Sequence, residues 1–123
     1  MSDLILVDTS VWIKHLREGE KNLVPLLEQG SVACHPFIIG EIACGGMKNR
    51  YEIISLLNDL PSVEILDHSE IMEFIENRKI MNKGVGYIDV HLLGSALVSG
   101  TLLWTFDKAL GKIAKELSIG FYQ

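Results

Sequence analysis

Hydrophobic and polar positions alternate along this chain in two different periods. Short apolar runs, "LILV" at 4–7, "SVAC" at 31–34, "VEIL" at 63–66, "LLWT" at 102–105 and "GFYQ" at 120–123, predict strands. Between them apolar residues recur every three or four positions: Leu23, Leu26 and Leu27; Ile53, Ile54, Leu56, Leu57 and Leu60; Ile71, Met72, Phe74, Ile75 and Met81. That spacing predicts helices with one face turned inward. Pro36 stands where a first helical residue tolerates proline, Gly45-Gly46 where a helix stops, and Ser69 is placed to cap the helix that follows "ILDH". Strands alternating with helices predict a single α/β domain over residues 1–123, with helices on both faces of a mainly parallel sheet. In such sheets ligands bind beyond the carboxyl ends of the strands.

Composition narrows the class. At 123 residues, 48% hydrophobic and 22% charged, the chain is suited to one continuous core and unlike a disordered segment. No uncharged apolar run approaches the roughly 20 residues of a membrane span. The start, "MSDLILVDTS", has neither a basic n-region nor a small-residue cleavage site, so a cytoplasmic address is expected. Cys34 and Cys44 match no disulfide framework and no Cys/His metal spacing, and read as buried thiols. The net charge of −5 argues against a broad basic face for nucleic acid. It leaves nuclease chemistry open, because acids gathered in one cleft can be neutralised by divalent cations while lysines elsewhere meet phosphates. Lys48 with Arg50, Arg78 with Lys79 and Lys83, and Lys108 with Lys112 and Lys115 form modest basic clusters, equally readable as solvated faces.

Position singles out four carboxylates. Asp8 ends the first apolar run and precedes a helical pattern; Asp107, in "LLWTFDKALGKIAKEL", repeats that grammar. Either can be a helix N-cap, and either can hold a metal. Glu41 follows Phe37 and Ile38 by four and three residues, which places it on their face rather than a plainly solvated one. Asp89 precedes Leu92, Leu93 and Ala96 on the apolar stripe of a helix reached through Gly84 and Gly86, in or near its first turn. Small Gly94, Ser95 and Ala96 suggest close packing of that helix. Like charges brought together repel unless a cation sits among them. An all-oxygen donor set, with Ser10 and Thr105 as nearby hydroxyls, suits Mg²⁺ or Mn²⁺ rather than zinc. His15, His35, His68 and His91 have no ligand spacing and read as structural or solvated.

Together "LVDTSVW", "HPFIIGEIACG", "GVGYIDVHLLGSAL" and "LLWTFDKAL" resemble a PIN domain, and more narrowly the VapC toxins of type II toxin–antitoxin pairs. The resemblance runs from the first strand to the last helix. It implies a five-stranded parallel sheet with the strands before Asp8 and Asp107 side by side, a metal-dependent ribonuclease activity, a homodimer, and neutralisation by a small VapB-type antitoxin. The family's acidic positions fall on Asp8, Glu41, Asp89 and Asp107, with Asp8, Asp89 and Asp107 binding Mg²⁺, or Mn²⁺, and Glu41 positioning the metal or its water. Its hydroxyl positions fall on Ser10 and Thr105. Lys48 and Lys83 are the expected phosphate contacts, and single-stranded or looped RNA the expected substrate. Two other readings stay open. A haloacid-dehalogenase-type phosphohydrolase also follows its first strand with an acid but needs a second aspartate where this chain has Ser10. A non-catalytic module on the same fold has no reason to hold four acids together.

Overall fold

The computed structural model describes residues 4–121. In chain order the elements are β1 (Ile5–Val7), α1 (Thr9–Glu18), α2 (Leu23–Glu28), β2 (Val32–Ala33), α3 (Pro36–Ala43), α4 (Arg50–Asn58), α5 (His68–Arg78), α6 (Tyr87–Ser99), β3 (Leu102–Trp104) and α7 (Lys108–Glu116). The strands lie in the order β2-β1-β3, all parallel, with Leu6 opposite Ala33 on one side and Leu103 on the other. Every residue of β1 is buried, as a central strand covered on both faces must be. Around it pack Val11, Ile38, Ile71, Leu92, Leu93 and Leu110, all fully buried. The strands before Asp8 and Asp107 are therefore neighbours, as expected.

The two outer strands are reduced to single parallel bridges, Cys34 with Ser62 and Leu103 with Gly120. Cys34 N–H donates to Pro61 O at 2.8 Å and Val63 N–H to Cys34 O at 3.1 Å, after which pairing stops. The reason lies in β2, whose chain enters α3 at Pro36 and offers no further extended backbone to pair with. In "VEIL" only Val63 and Leu66 are buried, so that segment does not alternate as a strand would. At the other edge Leu103 and the 119–121 segment exchange bonds of 2.7 and 2.9 Å; the rest of the expected "GFYQ" strand, residues 122 and 123, lies outside the described residues.

The helices follow their signals with two corrections. Pro36 is the first residue of α3, and His35 caps it, its Nδ1 accepting Phe37 N–H at 3.0 Å. Helix α5 is capped by Asp67 rather than Ser69: the Asp67 carboxylate takes Glu70 N–H and the Glu70 carboxylate takes Asp67 N–H, both at 2.8 Å. That helix ends at Lys79 in a left-handed conformation, so Met81 falls beyond it and is exposed. Close packing of α6 is real at Gly94, where a Cβ would come within 2.8 Å of Leu66 Cδ1. Among the described residues no helix is long and apolar enough to cross a membrane. Cys34 is buried as expected, and Cys44 is exposed.

Candidate active site

Beyond the carboxyl ends of β1 and β3 the chain builds one hydrogen-bonded knot. Asp8 N–H donates to Trp104 O at 2.9 Å, which fixes the end of β1 against β3. The Asp8 side chain is buried, and its Oδ2 accepts Ser10 Oγ at 2.8 Å and Thr105 Oγ1 at 2.7 Å. Each hydroxyl accepts in turn from the backbone, Ser10 Oγ from Phe106 N–H and Thr105 Oγ1 from Asp107 N–H, both at 3.0 Å. Two backbone amides of the β3–α7 loop are thus relayed through hydroxyls onto one carboxylate oxygen, in chains that polarise along their length. Ser10 N–H also approaches Oδ2, at 3.4 Å, a poor cap by comparison. Oδ1 has no protein partner among the described residues.

The other three acids are held from separate elements. Asp107 is exposed and caps α7, taking Leu110 N–H at 2.8 Å. Asp89, third residue of α6, is half-buried, and its nearest donor is Gly86 N–H at 3.5 Å. Glu41 is exposed, a correction to the face expected for it: the buried stripe of α3 runs through Ile38 and Ile42, and Glu41 falls beside it on the side of the half-buried Phe37. What orients Glu41 is Thr9, whose Oγ1 donates to Glu41 Oε1 at 2.5 Å. Thr9 escaped the sequence reading; its signal was its place in "DTS", a hydroxyl beside the strand-end acid at the first position of a helix.

Asp89 feels the charge of the other three carboxylates. The Asp89 carboxyl is pushed above its ordinary range first by burial, against the pull of Gly86 N–H, and then by the negative charges of Asp8, Asp107 and Glu41. No ion pair among the described residues involves any of the four. No three of the described His, Cys, Asp and Glu side chains close on a common point, so a shared ion requires the carboxylates to rotate inward. The donor set suits a hard divalent cation: carboxylate and hydroxyl oxygens, an Asp8 oxygen with no protein partner, and no nitrogen or sulfur ligand in the knot.

Neither expected cation bonds to this knot among the described residues. Lys83 pairs with Glu116 at 3.3 Å on the surface, and Lys48 lines a groove with Leu16, Met47 and Ile53. The histidines are structural or solvated. His35 and His91 are buried with ring centroids 6.2 Å apart; burial drives His35 down to about 4, with the neighbouring His91 adding to it. His15 Nδ1 accepts Glu20 N–H at 3.1 Å, and His68 meets the Tyr87 hydroxyl at 2.7 Å on the surface. A separate, mostly apolar groove of about 310 Å³ runs between α1, α2 and α4, lined by Trp12, Leu16, Leu27, Ile53, Leu56 and Leu60.

Comparison with known proteins identifies the family. The family model described as the PIN domain matches residues 5–116. The chain is also 42% identical, over 117 residues covering 94% of each chain, to proteins named Ribonuclease VapC32 from two strains of Mycobacterium tuberculosis, CDC 1551 and H37Rv.

Proposed function

The chain belongs to the PIN-domain family, and from that premise we propose that it is an endoribonuclease of the VapC toxin type whose active centre is Asp8, Glu41, Asp89 and Asp107. The observation that carries the site assignment is the convergence of Ser10 and Thr105 hydroxyls on the buried Asp8, beside an Asp89 that feels the charge of Asp8, Asp107 and Glu41, with no paired cation on any of the four among the described residues. Charges of one sign gathered this way destabilise the fold unless they serve a cation.

Asp8, Asp89 and Asp107 would hold Mg²⁺, with Mn²⁺ as the nearest substitute. A divalent ion bound there supplies the positive charge that acidifies an attacking water and offsets the charge developing on phosphorus. The chain's own work is orientation. Ser10 and Thr105 fix Asp8 Oδ2, which leaves Oδ1 for the site. Thr9 holds Glu41, which would orient the water. The expected products carry a 5′-phosphate and a 3′-hydroxyl. Single-stranded or looped RNA is the substrate that reaches such a cleft most easily, and Lys48 and Lys83 would meet flanking phosphates; the Lys83–Glu116 pair is exposed and readily exchanged. Ser10 stands where a haloacid-dehalogenase-type phosphohydrolase needs its second aspartate, which disfavours that reading.

A VapB-type antitoxin and a second copy of the chain are the proposed partners. The apolar groove beside α1 and α4 supports the first, since an amphipathic segment can lay its apolar side there and direct an arginine to the acids.

The test is cleavage of RNA by the purified protein with Mg²⁺, with EDTA, and with Asp8→Asn. Losing a direct ligand should reduce turnover by more than the roughly 100-fold that follows loss of an outer partner of a ligand. Near-normal cleavage by a folded Asp8→Asn variant would remove Asp8 from the active centre.

A further inference from the structure

Phe106 lies between Thr105 and Asp107, so its Cα is about 3.8 Å from that of each of these two site residues. The residue is 45% exposed. A single exposed apolar side chain is ordinary on a protein surface; the setting of this one is not. Its backbone is pinned, because Phe106 N–H donates to Ser10 Oγ, the same hydroxyl that donates to Asp8. Its ring is braced as well. The Trp104 ring stands nearly perpendicular to it with centroids 5.9 Å apart, and the Lys14 ammonium sits 5.8 Å from its centroid. Lys14 is itself fixed by Glu20, 2.6 Å away. An aromatic ring thus has neighbours that brace it, is left half open to solvent, and is tied through its backbone to the side chains that orient the proposed catalytic carboxylate.

We infer that Phe106 is the stacking platform for a nucleobase of the RNA strand next to the scissile phosphodiester. The inference rests on the ribonuclease reading above and adds to it the subsite that grips the strand. Bases present an aromatic face whatever their identity, so a braced ring binds single-stranded RNA with little demand on sequence, and pre-ordering lowers the cost of immobilising it. A base paired and stacked in a duplex has no free face to offer, which makes Phe106 a discriminator against double-stranded substrate. The acids nearby bring no base affinity of their own. Positioning a phosphodiester over them therefore calls for a contact of this kind beside them.

The test uses a short single-stranded RNA that spans a site cut by the wild-type protein, together with versions carrying one abasic nucleotide at successive positions. Phe106→Ala should lower kcat/KM between about fivefold and about a hundredfold, mainly through KM, which is the range of one lost aromatic–base stack. Phe106→Trp should restore it and Phe106→Leu should not, because leucine keeps apolar bulk without a π face. At one abasic position beside the cut, the wild type should fall to the level of Phe106→Ala while the variant loses nothing further, the non-additivity expected of two groups that touch. Thermal unfolding with and without Mn²⁺ checks that each variant is folded and keeps its metal response. Rescue by leucine, or losses that add at every abasic position, would overturn the stacking role while leaving the ribonuclease reading intact. Failure of the wild-type protein to cut any RNA would overturn both.

Discussion

The β1–α1 and β3–α7 junctions share one plan, a short parallel strand, an aspartate at the turn and a helix, yet the fold holds their aspartates in different ways. Asp107 is exposed and behaves as a helix cap, with Leu110 N–H 2.8 Å from its carboxylate and no side-chain hydroxyl on it. Asp8 is buried and makes only a 3.4 Å approach to the first turn of α1, while two hydroxyls, one from each junction, converge on its Oδ2. Among the described residues, capping accounts for the side-chain hydrogen bond of Asp107. It does not account for Asp8, because a group needed only as a cap would not be buried and then oriented by Thr105, a residue of the other junction. The second junction even serves the first: its loop amides at 106 and 107 feed the hydroxyls that hold Asp8.

Substitutions at three positions press on that comparison. Thr105→Val removes one hydroxyl from Asp8 and the acceptor of Asp107 N–H while keeping the side-chain shape. RNA cleavage should fall by about 10- to 100-fold, the usual consequence of losing the partner that orients a metal ligand, and Thr105→Ser should recover most of it. Equal activity in the valine variant would mean that the knot is only structural.

At the other junction, Asp107→Ala should cost about 1 kcal/mol of stability in urea unfolding, and Asp107→Asn very little, since asparagine caps as well as aspartate. If alanine and asparagine unfolded alike, Asp107 would not be acting as a cap, and the contrast with Asp8 would fail.

The smallest effect is expected at Asp89, without metal. Burial and the three neighbouring acids raise its pKa, so above the ordinary value of 3.8 the folded chain keeps a proton that the unfolded chain has released. Stability should therefore fall as pH climbs from 3.8 through the raised value, and remain lower beyond it. Asp89→Asn carries no charge at any pH and should flatten that part of a plot of Tm against pH in EDTA. An undiminished slope in the variant would separate Asp89 from the acidic cluster.

Both junctions were legible in the sequence because an apolar run that stops on an acid before a helical stripe is a local pattern, and local patterns survive folding. The same holds for the proline start of α3 and for the first-turn position of Asp89 in α6. What escaped was set by partners distant in sequence. The edge strand expected at 63–66 shrank to a single bridge because β2 has no backbone beyond Pro36 to share, which the composition of 63–66 cannot reveal. Asp67 outcompeted Ser69 as a cap because Glu70 could complete a reciprocal pair with it. Glu41 reached solvent because the core claims only the Ile38–Ile42 stripe of α3, and its tether, Thr9, lies 32 residues earlier in the chain. Lys83 was drawn toward Glu116, 33 residues on, by a helix whose placement depends on the whole sheet.

The most direct test of the central claim is the location of the ion. Crystals of the protein soaked in Mn²⁺ and measured near the manganese absorption edge should give an anomalous peak beyond the ends of β1 and β3, within ligating distance of Asp8 together with Asp89 or Asp107, and that peak should vanish in Asp8→Asn. A peak elsewhere on the molecule, or one that survives the loss of the Asp8 charge, would contradict the assignment of these four acids to a single metal-dependent centre.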